Sequence, residues 1–136
     1  MKSLIAALLL SITLSGVALA CTPELPGGKF KVVEGKQYTA AWRTQPENVT
    51  IGLHFAVELA LCIKDSAAAK PDSVRVDAHM PEHRHGMNYK TKVDSPTPGR
   101  YRAEGLMFHM PGRWEYIFEV RAGTNTERLT TSVVMK

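Results

Sequence analysis

Between residues 79 and 110 the chain holds four of its five histidines and four of its five non-initiator methionines, and the tripeptide His-Met-Pro stands twice, at 79–81 and 109–111. Imidazole nitrogen together with thioether sulfur suits a soft or borderline ion, copper above all, whereas calcium or magnesium calls for carboxylates and carbonyls. The first cluster reads His79-Met80-Pro81-Glu82-His83-Arg84-His85-Gly86-Met87 and the second Met107-Phe108-His109-Met110-Pro111-Gly112. Two loops can therefore share one ion, with His79, His83, His85, Met87, His109 and Met110 as the candidate ligands. With no thiolate among them the set favours Cu(I), and a more imidazole-rich geometry shifts the preference to Cu(II) or Zn(II). Free imidazoles take up protons near pH 6.5, so binding should weaken in acid. An open cluster favours exchange with a donor or acceptor protein over permanent burial, which is chaperone behaviour. Asp77 and Glu82 are the nearby carboxylates that can orient an imidazole. Met107 and the remote His54 read as structural.

These side chains must be held by strands. No segment sustains a 3.6-residue apolar period, and the chain reads as seven short strands separated by turn signals. They are expected over 30–33, 37–44, 54–63, 74–80, 100–106, 113–121 and 128–134. In the segment from Arg113, the residues Trp114, Tyr116, Phe118 and Val120 alternate with Glu115, Ile117, Glu119 and Arg121, so one face is aromatic and buried. Turn signals fall at Pro46-Glu47-Asn48, Pro71-Asp72, Pro96-Thr97-Pro98-Gly99, Pro111-Gly112 and Gly123-Thr124-Asn125. Residues 55–61 are also compatible with a helix by composition, and β-prone Val and Phe decide for strand. The expected fold is all-β, an immunoglobulin-like antiparallel β-sandwich of about seven strands. The period of two then sorts the ligands. Val74, Val76, Ala78 and Met80 share the core face, and His79 lies on the other. Leu106, Phe108 and Met110 likewise fall opposite Met107 and His109. Met80 and Met110 are thus also explained as core methionines.

Residues 1–20 carry Lys2, an apolar run to about Leu14 and the small-residue ending Ala18-Leu19-Ala20, the pattern of a secretory signal peptide. Its apolar core is too short to span a bilayer. Removing these twenty residues of 136 leaves 116, one domain's worth: an N-terminal arm over 21–29 and a sandwich over 30–136. The mature chain would begin at Cys21. Two readings of that cysteine exclude each other. It is acylated, making the protein a lipoprotein and giving it a membrane partner, or it pairs with Cys62 in an oxidising compartment such as the periplasm. A Cys21–Cys62 bridge would close a loop of about 40 residues, worth roughly 4 kcal/mol in chain entropy. Without Lys2, 16 basic residues face 13 acidic ones, with no basic run longer than two. A nucleic-acid partner is not expected, because its binding face would want clustered Lys/Arg with stacking aromatics.

The run Asp77 to Met87, with Gly99-Arg100-Tyr101 and Phe108-His109-Met110-Pro111-Gly112-Arg113-Trp114-Glu115, resembles the YtkA-like/FixH-like domain family over roughly residues 49–134. The Met-Pro-x-His-x-His-Gly-Met element is the most specific part of the likeness. The resemblance implies a small secreted or membrane-anchored β-sandwich linked with copper handling and cytochrome oxidase assembly.

Enzyme readings fare poorly. A histidine-brace copper oxygenase needs His as its first mature residue, and scattered serines give no sign of a nucleophile with its base. The expectation is an envelope copper carrier or oxidase-assembly accessory without catalytic activity. The alternative is a metal-free interaction module of the immunoglobulin type that helps assemble an envelope complex through its loops. A small molecule bound in the sandwich mouth is a third option, for which the sequence identifies no ligand.

Overall fold

Alternation of Val74, Val76, Ala78 and Met80 with Arg75, Asp77 and His79 builds β4 (Ser73–Met80), whose burial alternates just as strictly. The computed structural model describes residues 21–64 and 66–136; the expected signal peptide, residues 1–20, lies outside the described residues. The other strands are β1 (Lys31–Glu34), β2 (Tyr38–Gln45), β3 (Phe55–Ile63), β5 (His85–Gly86), β6 (Lys92–Thr97), β7 (Arg100–Leu106), β8 (Gly112–Ala122) and β9 (Asn125–Met135). They form two antiparallel sheets, ordered β1-β2-β3-β7-β6 and β5-β4-β8-β9. The all-β sandwich is as expected, and all seven expected strands are present.

Two further strands escape a period-based reading for physical reasons. β5 is too short to show any period. β6 is an exposed edge strand whose register shifts between Asp94 and Thr97, around Pro96. Proline is tolerated there because an edge residue owes no N–H to a second neighbour.

The core lies between the sheets. β8 contributes Trp114, Tyr116, Phe118 and Val120; β4, beside it in the same sheet, adds Val76, Ala78 and Met80, and the opposite sheet supplies Tyr38, Trp42, Val57, Leu59 and Leu106. Phe108 stacks on Trp114 with ring centroids 4.7 Å apart, and Trp42 meets Tyr116 at 4.8 Å. Aromatic pairs at such separations add about 0.5–1.5 kcal/mol each beyond the area they bury. Burial also pushes the Tyr116 hydroxyl pKa far up.

Strand directions define two poles. At one, Cys62 stands next to the last residue of β3, beside the β1–β2 turn and the start of β9, where the Glu127 carboxylate accepts the backbone N–H groups of Lys36 and Gln37. At the other lie the β4–β5 loop, residues 107–111 and the end of β9. Cys21 is bonded to Cys62, with Cα atoms 5.7 Å apart. That is the pairing alternative of the sequence reading. The arm is not loose: Leu25 is buried on the outer face of the first sheet against Ala41 and Ala60, whose small side chains leave room for it.

Candidate metal centre

The first His/Met cluster is a hairpin. Pro81 sits second in the turn that follows Met80, where its fixed φ is favourable, and the His83 N–H closes that turn onto the Met80 carbonyl at 3.2 Å. Arg84 then takes φ +55°, the left-handed conformation that costs a non-glycine residue roughly 1–2 kcal/mol. This returns the chain into β5, pairing Met80 with His85 and His79 with Gly86. Paired residues of antiparallel strands project to the same face. His85 therefore goes inward with Met80, and His79 outward.

The second cluster is pinned at two points. The Phe108 side chain is fully buried and its carbonyl accepts the Gly52 N–H at 2.8 Å; two residues on, the Met110 carbonyl accepts the Trp114 indole N–H at 3.0 Å. Residues 107–109, around the first of these anchors, are not strand. The alternation that sends His109 away from the core thus fails here. Its ring packs edge-on to Trp114, with centroids 5.3 Å apart. Gly112, at φ +127°, completes the turn into β8; a Cβ there would come within 2.6 Å of Met80 Cε, so the two clusters are packed on each other.

These two turns bring three histidines together. The centroids of His85 and His109 are 5.1 Å apart with planes 32° from parallel, and His83 lies 5.8 Å from His85. Bonds of about 2.0–2.1 Å from two imidazoles to one ion place the ring centres within about 6 Å. Both separations meet that limit. The hydrogen bonds also expose lone pairs. His85 Nδ1 lies 3.1 Å from the Gly86 carbonyl, which can only accept, so Nδ1 carries the proton and Nε2 is left as a base. His109 Nδ1 is buried and has no hydrogen-bond partner. Such an orphaned group costs about 1–3 kcal/mol unless something ligates it.

Other candidates lie apart. His79 is turned to the outer face, where its Nε2 lies 2.9 Å from Glu115 Oε1, its cross-strand neighbour. Met80 is wholly buried, while Met87 and Met110 are half-buried against the same core. The carboxylates expected to orient imidazoles are engaged elsewhere. Asp77 pairs with Arg75 at 3.3 Å, and Glu82 pairs with Arg113 at 2.6 Å. The Arg113 hydrogen bond holds Glu82 below the usual carboxylate range. The carboxylate that does reach a histidine is Glu115, which the sequence reading placed only on the solvent face. Its signal was the register of β4 against β8, which sequence spacing does not carry. His54 packs edge-on to Tyr89 at 4.9 Å. Among the described residues no group of three or more His, Cys, Asp or Glu side chains is gathered as a metal site.

A family model described as YtkA-like matches residues 35–119, more than half of the chain. No curated protein and no solved structure matches it.

Proposed function

The chain belongs to the YtkA-like family, and on that premise we propose that it is a copper carrier of the cell envelope, binding Cu(I) between the β4–β5 loop and residues 107–110. The observation that carries this reading is the His85–His109 pair: two rings within bridging distance, one presenting a free Nε2 and the other a buried Nδ1 without a partner. A soft ion satisfies both nitrogens at once. Met87 and Met110 supply the thioethers that a monovalent copper prefers.

Access and release follow from exposure. His83 is exposed while His85 is half-buried, so an incoming ion meets His83 first and then His85 and His109. A site with so few fixed ligands leaves room for those of a donor or acceptor protein, and ligand exchange replaces dissociation into solvent. The Cys21–Cys62 bond supports an oxidising compartment, the periplasm or its equivalent. Oxidase assembly is the destination that the family likeness favours.

Anaerobic titration of residues 21–136 with Cu(I) against a competing chelator tests the proposal. One-to-one binding is expected, weakened at least 100-fold by His85→Ala with His109→Ala and by less than threefold by His79→Ala. Absence of binding by the folded protein, or equal losses in the two variants, would overturn it and favour the metal-free interaction module.

A further inference from the structure

The pole that carries the histidines also carries a groove that the copper reading does not use. The sheets are clasped where Glu127 takes the N–H groups of the β1–β2 turn, and they part towards the start of β1 and the end of β9. The opening is a groove of about 680 Å³, within the range of small-molecule sites. Trp42, Val49, Tyr116, Val133 and Met135 give it apolar walls.

Its charged groups are mostly basic. Lys29, Lys31, Arg43 and Lys136 line it against a single acid, Glu47. Lys31 Nζ stands over the Trp42 ring, 5.3 Å from its centroid. One donor of the lining is buried and without an acceptor, Trp42 Nε1, and Trp42 is only 3% exposed. Arg43, the next residue along β2, turns to the outer face, where Glu58 at 2.6 and 2.7 Å and the Pro26 carbonyl at 3.0 Å hold it. A buried indole N–H usually has an acceptor. Here no described residue supplies one.

We propose that this groove binds a small amphiphilic carboxylate, its head meeting Lys31 and the Trp42 indole N–H and its apolar body lying against Val49, Tyr116, Val133 and Met135. The charge excludes a cationic amphiphile, and the apolar walls distinguish the occupant from inorganic anions. The proposal is independent of copper, because none of the groove residues is a histidine or one of the loop ligands.

The test is an NMR titration of the folded protein, residues 21–136, with decanoate below its critical micelle concentration, following the Trp42 indole N–H, assigned with Trp42→Phe. Saturable movement of that resonance is expected. Affinity should fall at least tenfold in Lys29→Glu with Lys31→Glu, exposed changes that leave the core intact, while Cu(I) affinity stays within twofold. Decyltrimethylammonium and inorganic phosphate should leave the resonance in place. An unmoved indole, equal binding of the cationic analogue, or full affinity in the charge-reversed variant would each overturn the proposal.

Discussion

The two His-Met-Pro copies meet different fates. In the first, β4 is still extended at residue 80, so strand alternation buries Met80 completely and sends His79 out to Glu115. In the second, β7 has already ended at Leu106, the Phe108 and Met110 carbonyls are pinned, and His109 turns in onto Trp114 while Met110 stays half-buried. Identical side chains in identical order exchange roles because one copy is inside a ladder and the other beyond it. A repeated motif therefore names the chemistry available. The backbone decides which member of it is offered.

Truncating the methionines is the strongest way to break this comparison. Met80→Ala empties a fully buried site and should cost about 2–5 kcal/mol, whereas Met110→Ala, at a half-buried position, should cost about 1 kcal/mol. Urea denaturation of the two variants measures the difference, and equal losses would mean that the copies are packed alike. Gly112→Ala comes next. The added Cβ meets Met80 Cε and the backbone lies at φ +127°, so a loss of about 1–3 kcal/mol is expected. The His85 and His109 resonances should move with it, which would mark Gly112 as the joint between the two copies.

The smallest effect concerns acid. Among the described residues, only the first copy's loop is tied to β8 by an ion pair, Glu82 to Arg113. Because the Glu82 carboxyl is held below its ordinary range, this tie is fully present above the unfolded carboxylate pKa, ~4, and is lost as pH falls through the lower folded value. Both side chains are largely exposed, so global stability should hardly change. A carbonyl-carbon NMR titration of Glu82 checks this: Arg113→Gln should return the carboxyl to the ordinary range, and no change would remove Arg113 as the cause.

What the sequence made legible follows what is periodic. The alternation of Trp114, Tyr116, Phe118 and Val120, and of Val74 to Met80, placed two central strands and the core side of Met80 correctly. β6 was not legible, because an exposed edge strand interrupted by Pro96 has neither alternation nor apolar content. The pairing of His79 with Glu115 depends on strand register across 36 residues of sequence. The inward turn of His109 depends on carbonyls anchored by Gly52 and Trp114. The docking of Leu25 depends on Ala41 and Ala60 being small at one spot on two different strands. Each is a coincidence in space that no local pattern records.

The Cys21–Cys62 bond has a consequence for how the protein is presented. It fastens the N-terminal arm at the pole opposite the histidines, and the arm then crosses the outer face of the first sheet, docked there by Leu25, before β1 begins. Residue 21 therefore lies at the far end of the sandwich. Any leash attached there moors the domain by its back, leaving the His83–His85–His109 face and the neighbouring groove turned towards whatever approaches.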